Sequence, residues 1–296
     1  MRVTHPAIAL LTSIWVLGCS GRTATDEAAQ AAVLRFTAIP DQNTTELVEK
    51  FQPLAEHLSR ELGVAVEYAP AHDYQASVEM FKNGDVQLAW FGGLTGVQAR
   101  SAVDGARAIA QGQVDPEYYS YFIAHRETGL ERSDQLPSDL GKYKFTFGSQ
   151  SSTSGRLMPE FFIREHTGQG PMELFEHPVG FSGSHDKTIE LVESSQYEIG
   201  AVNYKVYDQR IQAGTSDPEI CRVIWKTPYY ADYNWTVRPD VDDAMGEGYI
   251  DRLQAALVAI DDPQLLAALP RDRLIAASNE DFEGIRVVAE ELGMLR

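Results

Sequence analysis

From Val33 to Gly93 the chain alternates strand-like and helix-like segments with very short connections, and this alternation limits the fold more than any other feature. Val33 to Ile39 is a buried-strand run that ends in Pro40-Asp41-Gln42-Asn43. A helix follows at once: Asn43 with Glu46 three residues on makes a cap-like start, and Leu47, Phe51, Leu54, Leu58 and Leu62 mark one face up to Gly63. Val64 to Tyr68 is a second strand, Tyr74 to Asn83 a second helix closed by Gly84, and Val86 to Phe91 a third strand running into Gly92-Gly93. Strand, helix and strand in close succession predict parallel neighbours joined by crossover helices. Sheets of this kind carry ligand loops at the carboxyl ends of their strands. Three stretches qualify here: Pro40 to Asn43, Ala71 to Tyr74, and Trp90 to Gly93.

The second half repeats the theme. Ala106 to Gln111 is another strand, and Tyr118 to Ala124 is an aromatic, alternating run of the kind that links two domains. After a polar segment from His125 to Gly141 come a strand at Tyr143 to Phe147, a helix at Arg156 to Thr167 and a short strand at Glu173 to His177. Lys187 to Ser194 and Lys205 to Ala213 are predicted helices, with strands at Tyr197 to Val202 and Arg222 to Lys226. Pro228 to Asn234 is a second crossover, Trp235 to Arg238 leads back, and helices are expected over Asp243–Ile260, Pro263–Leu269 and Glu280–Leu292. The expected architecture is α/β and bilobed, with two lobes joined by two crossover strands and a ligand cleft between them. Residues 33–124 plus 232–296 form lobe 1 and residues 125–231 form lobe 2.

The stretch richest in chemistry is Phe147 to Pro159, which contains Ser151-Ser152-Thr153-Ser154-Gly155 between a strand and a helix. Free backbone N–H groups, hydroxyl donors and the positive end of a helix meet there, as a small oxyanion requires. A Ser-rich N-cap without a ligand is the plainer alternative. The charge balance, 25 basic against 43 acidic residues for a net −18, gives an anion no long-range attraction, so any anion site must act through local donors. It also argues against nucleic acid, because no Lys/Arg cluster is present.

Residues 1–18 read as a signal peptide: a basic start at Met1-Arg2, then an apolar run from Ala7 to Leu17, too short to span a bilayer. Val16-Leu17-Gly18-Cys19 resembles a lipobox, which predicts lipidation of Cys19, with residues 19–32 as anchor and tether and an exported, membrane-held protein. An ordinary signal peptide with an incidental Cys19 is the alternative. Cys221 lies in an apolar run and is a core thiol rather than a nucleophile. Enzyme signatures fail. Gly180-Phe181-Ser182-Gly183-Ser184 lacks the final glycine of a nucleophile elbow, no zinc-protease or Walker motif occurs, and no two histidines have helical i,i+4 spacing. No catalytic residue, metal or cofactor is expected.

Ala38 to Asn43, Asp73-Tyr74, Leu88 to Gly93, Gly148 to Pro159 and Gly183-Ser184-His185-Asp186 together resemble the phosphonate-type substrate-binding proteins of ABC transporters. The resemblance covers nearly all of the mature chain and lies nearest to the branch labelled selenate-binding. It implies a type II periplasmic-binding-protein fold that captures a tetrahedral oxyanion such as selenate, phosphite or a phosphonate. It further implies that Ser152, Thr153 and Ser154 grip the anion, that Tyr74, Phe91 and Gly92 close over it, and that His185 and Asn203 approach from the second lobe. Asp186 is available as an acid for an amino group but Asn203 is not, which disfavours aminophosphonates. The implied partners are an ABC permease and ATPase, with the binding protein itself a monomer. A ligand-presenting sensor and a phosphate or sulfate ester hydrolase are the competing functions.

Overall fold

The structure, a computed structural model, describes residues 32–295; the expected signal peptide, Cys19 and most of the tether lie outside that span. Among the described residues eleven strands form two sheets. The first contains β1 (Val33–Ala38), β2 (Ala65–Tyr68), β3 (Leu88–Phe91), β4 (Arg107–Gly112), β10 (Asn234–Val237) and β11 (Leu274–Ala276), in the order β11-β4-β10-β3-β1-β2. The second contains β5 (Ser120–His125), β6 (Phe145–Phe147), β7 (Gly180–Phe181), β8 (Ile199–Asn203) and β9 (Cys221–Lys226), in the order β7-β6-β8-β5-β9. The sheets are mixed: β1 runs parallel to β2 and β3, and β6 to β7 and β8, while β10 and β5 are antiparallel to both of their neighbours.

The opening strand-helix-strand-helix-strand segment of the first lobe is built as its sequence pattern predicts. In the helix Thr44–Leu62 the Asn43 side chain accepts from the N–H groups of Thr45 and Glu46, and the chain leaves through Gly63 in the left-handed conformation. Its apolar face buries Leu47, Phe51, Leu54, Ala55 and Leu58 against β1 and β2, each worth roughly 1.5–3 kcal/mol for the larger side chains. Phe51 meets Phe36 edge-on at 5.7 Å and lies 4.6 Å from Tyr68. The helix Tyr74–Asn83 matches its predicted bounds, capped by Asp73 through the Ala76 N–H at 2.7 Å.

The chain passes to the second sheet after β4 and returns before β10. The two passages bind each other: Tyr118 N–H donates to Tyr230 O at 2.8 Å, and Tyr230 N–H donates to Tyr118 O at 2.9 Å. β5, which the sequence reading keeps with residues 33–124, pairs wholly with β8 and β9 in the second sheet. Its alternating aromatic pattern reflects burial between two antiparallel neighbours, and the linking stretch is the segment just before it.

Several elements differ from expectation. Glu173 to His177 is not a strand: Gly170 and Pro171 start a helical turn, Pro171–Leu174, whose Glu173 caps the Gly170 N–H. Asp243–Ile260 is two helices, Val241–Met245 and Tyr249–Val258, divided at Gly246 and Gly248. Pro263–Leu269 forms turns rather than a helix, and β11 and the helix Gly93–Ala102 were not anticipated.

Replacing Phe51 by Ala removes a ring packed on Phe36 and Tyr68, and we expect about 3–5 kcal/mol loss of stability. Urea titration should show a lower midpoint at an unchanged slope.

Candidate functional site

The second lobe contributes the end of β6 and the turn that follows. Gly148 N–H donates to Gly155 O at 2.8 Å, folding the Ser/Thr loop back on itself. Ser152 caps the next element by accepting the Gly155 N–H at 2.9 Å. The chain then makes one wide π-turn, Thr153–Leu157, with Leu157 N–H on Ser152 O at 3.0 Å, before the helix Met158–Thr167 begins. Thr153 and Ser154 lie at the start of this element, ahead of any intrahelical acceptor for their N–H groups. Gly155 keeps this turn uncrowded, since a Cβ there would lie only 3.0 Å from Ser152 Oγ and 3.1 Å from His185 Cε1. Its absence lets His185 stand against the turn.

The first lobe answers with another helix start. β3 ends at Phe91, and the helix Gly93–Ala102 opens directly over Thr153. Leu94 N–H donates to Thr153 Oγ1 at 2.9 Å, and Gly93 N–H donates to Asp232 Oδ1 at 2.9 Å. Gly92 sits at their meeting point, where a Cβ would come within 3.1 Å of Thr153 Oγ1 and 3.2 Å of Asp232 Oδ1. Two helix N-termini, one from each lobe, thus converge on Thr153 and Asp232.

Three buried polar atoms at this seam lack a hydrogen-bond partner: Asp232 Oδ2, the Tyr74 hydroxyl and His185 Nε2. Other buried polar atoms elsewhere in the protein also lack a partner, but these three meet beside the Ser/Thr turn, where a polar ligand would satisfy them together. Burial raises the Asp232 carboxyl to about 7, although the Gly93 amide and the Thr153 and Ser154 side chains pull it down. Burial lowers His185 to about 3, so the ring is neutral. Its Nδ1 accepts the Asn203 N–H at 3.3 Å, which assigns the proton to Nε2 and makes that atom a donor. Burial, helped by Asp41 and Asp232, holds the Tyr74 phenol well above its ordinary range, so it too is a donor. The seam offers uncharged donors and one carboxyl near its own midpoint at neutral pH.

Of the residues predicted from sequence, Ser152, Thr153, Ser154, Tyr74, Gly92 and His185 converge here. The Phe91 ring lies in the first lobe's core, edge-on to Phe81 at 5.6 Å, and only its backbone borders the seam. Asn203 is committed elsewhere: its Oδ1 accepts the Val206 N–H at 2.7 Å as a helix cap, and its Nδ2 donates to the Tyr233 hydroxyl at 2.9 Å. Asp186 is held by the Asn43 N–H at 3.1 Å and by Arg210 at 3.3 Å. Asp232 was missed. The only sequence signal was an acidic residue within the crossover Pro228 to Asn234. Among the described residues no group of His, Cys, Asp and Glu is placed to hold a metal ion. An open cavity of about 700 Å³ lies beside this cluster rather than on it, since the cluster itself is sealed.

Two α/β lobes meeting over a polar seam define a periplasmic-binding-protein fold. A family model described as the periplasmic phosphonate substrate-binding protein of ABC transporters matches residues 36–282. The chain belongs to this family, whose members are binding components of importers and not enzymes, working with a permease and an ATPase. It is 35% identical over 271 residues to the probable ABC transporter phosphite binding protein PhnD1 of Prochlorococcus marinus, covering 89% of this chain and 91% of that one. The solved structure of PhnD1 with methylphosphonate matches at a TM-score of 0.83, covering 88% of this chain and 98% of that one. The phosphate-import protein PhnD of Mycolicibacterium smegmatis is 29% identical over 238 residues, covering 75% of this chain and 70% of that one. A Pseudomonas aeruginosa phosphonate-transporter binding component, 20% identical with a TM-score of 0.75 and coverage of 87% and 85%, shares the fold.

The raised carboxyl has a measurable consequence. Between about 4 and about 7, Asp232 is ionised in the unfolded chain and protonated in the folded one, so its contribution to stability is lost as pH rises across that window. His185 acts with the opposite sign below its ordinary value, and comparison with a variant cancels it. We expect Asp232→Asn to gain on wild type in calorimetric melts of the ligand-free protein as pH rises through that window, then to hold level. A pH-independent difference would remove the raised carboxyl.

Proposed function

We propose that the protein captures a small, protonated phosphorus oxyanion, phosphite or a short phosphonate such as methylphosphonate, between its lobes and delivers it to an ABC importer. Ser152, Thr153 and Ser154 with their helix-start N–H groups, the Tyr74 hydroxyl and His185 Nε2–H are its proposed donors, and Gly92 allows the first lobe to approach. The observation that carries this reading is Asp232, a buried carboxyl with an unpartnered oxygen beside those donors. An ionised Asp232 accepts a hydrogen bond from a P–OH group and repels an anion that has no proton to give. Selenate and sulfate are fully ionised at neutral pH and lack that proton, so selenate is set aside. The likeness to PhnD1, named as a phosphite binder and solved with methylphosphonate, points the same way.

Both oxygens of Asp186, the acid that follows the Ser184-His185 turn, are already engaged, so Asp186 is not free to hold an amino group. We further infer that Cys19 is acylated and holds a monomeric binding domain at the membrane. Among the described residues no helix is long and apolar enough to cross one.

Titration calorimetry on tether-free protein should give tight binding of phosphite and methylphosphonate and none, or far weaker, of sulfate and selenate. Ser154→Ala should cost one to two decades of affinity, as loss of a charge-assisted bond of about 1.5–3 kcal/mol implies. Asp232→Asn should narrow the gap between phosphite and sulfate. Equal binding of sulfate and phosphite by wild type would overturn the assignment.

A further inference from the structure

Beside the anion site the lobes are joined by a second set of contacts that involves none of the orphaned donors. Asp41, at the end of the β1 loop, accepts the His185 N–H on its main-chain oxygen at 3.2 Å. Its carboxylate accepts the Tyr233 hydroxyl at 2.7 Å, and that hydroxyl in turn accepts from Asn203 Nδ2 at 2.9 Å. Two residues on, Asn43 N–H donates to Asp186 Oδ2 at 3.1 Å. The Asp186 carboxylate therefore lies at two helix starts, its own and that of Thr44–Leu62 in the other lobe, where both dipoles favour it. Arg210 holds its second oxygen at 3.3 Å.

The side chains of Tyr233, Asn203 and Asp186 are already paired, across the lobes or within their own. The Tyr233 hydroxyl donates once and accepts once, both Asp186 oxygens are taken, and both ends of the Asn203 amide are used. Asp41, Tyr233, Asn203 and His185 are buried, while Asp186 and Arg210 face the groove of about 700 Å³ that separates the lobes on the outer side. The network is thus a seam between that groove and the anion site. It binds lobe to lobe directly.

We propose that this network is a closure latch, and that Asp41, Asp186 and Tyr233 are positioning residues that set affinity through the fraction of molecules with lobes shut. Apparent affinity is intrinsic affinity scaled by the binding-competent fraction. A latch that touches no ligand changes that fraction alone, so it scales every ligand by the same factor. A residue that touches ligand changes the ratio between ligands. The latch therefore differs from a merely structural contact in two readouts: the lobe separation without ligand and the uniformity of the affinity loss. It rests on the proposed function only for the choice of ligands.

The test uses tether-free protein carrying Glu49→Cys and Glu190→Cys, exposed positions on the two helices that flank the groove, for fluorescence energy transfer. Tyr233→Phe keeps the ring that stacks on Trp90 and removes both hydroxyl bonds. Asp186→Ala removes the acceptor of Asn43, and Asp186→Asn keeps it. In the ligand-free state we expect both Tyr233→Phe and Asp186→Ala to shift the distribution toward longer distances, with Asp186→Asn between them and wild type. The same two variants should weaken phosphite and methylphosphonate by an equal factor, roughly five- to tenfold. An unchanged ligand-free distribution in both variants, or a loss confined to one ligand, would sink the latch. If neither ligand binds wild type, the proposed ligand class fails, and the ligand-free distance distributions still decide the latch.

Discussion

Helix starts are short of acceptors, and here two of them face each other inside the protein. The N–H groups of Gly93 and Leu94 have no partners within their own helix, and an unpaired buried donor costs about 1–3 kcal/mol. They are satisfied by Asp232 Oδ1 and Thr153 Oγ1, one from the returning crossover and one from the opposite lobe. Much else in the site follows from that need. A side chain at Gly92 would crowd the Thr153 hydroxyl that reaches Leu94, and one at Gly155 would crowd the His185 ring against the Ser/Thr turn. Asp232, fixed by one oxygen, is left with the other toward Thr153 and Ser154, and this is what gives a set of donors its single acceptor.

The carboxyl is held in place by a buried ion pair behind it. Arg271 grips Asp115 through Nε at 2.9 Å and 3.0 Å, and both side chains are almost wholly out of water. The main-chain oxygen of the same Asp115 accepts the Asp232 N–H at 3.0 Å. Asp115 Oδ2 also accepts the Gly112 N–H at the end of β4, so one aspartate ties the outgoing crossover to the returning one. The guanidinium lies among the rings of Trp90, Tyr118 and Tyr233, 4.8–5.8 Å from their centres. Buried ion pairs add little net stability, but separating one is costly, because a lone charge would remain in a low dielectric. Its value here is geometric: the two crossovers and the C-terminal segment share one anchor.

What was legible in the sequence was local. The helices Thr44–Leu62 and Tyr74–Asn83 declared themselves through caps and a helical apolar period, and the Ser/Thr run lay at a strand-to-helix junction as read. The helix Gly93–Ala102 was not visible, because Gly93, Leu94, Thr95, Gly96, Val97 and Ala99 are all buried and its more exposed polar residues, Gln98, Arg100 and Ser101, are confined to the second half, too few to set a period. β11 is three residues long and exists only because β4 offers an open edge. Glu173 to His177 has apolar alternation, yet Gly170-Pro171 just ahead of it imposed a helical turn. Asp232 is the instructive case. In the chain it is one polar residue among crossover tyrosines, and its function arises from contacts with Gly93 and Thr153, which are 139 and 79 positions away. No local pattern encodes such a meeting.

A protein of net charge −18 that binds an anion must do so against its own field. Long-range attraction is unavailable, and among the described residues the cations around the site are engaged or neutral: Arg271 is spent on Asp115, Arg210 on Asp186, Arg156 on Glu160, and His185 is neutral. What remains is local and directional, consisting of helix-start N–H groups, hydroxyls and an imidazole N–H in a place from which water is removed when the lobes meet. Such donors act at hydrogen-bond range and weaken little with ionic strength once buried. They also explain why a carboxyl is tolerated beside an anion. On the proposed function, with no cation to overcompensate it, Asp232 would make the protonation state of the ligand matter, and the same low-charge environment that limits attraction would supply selectivity.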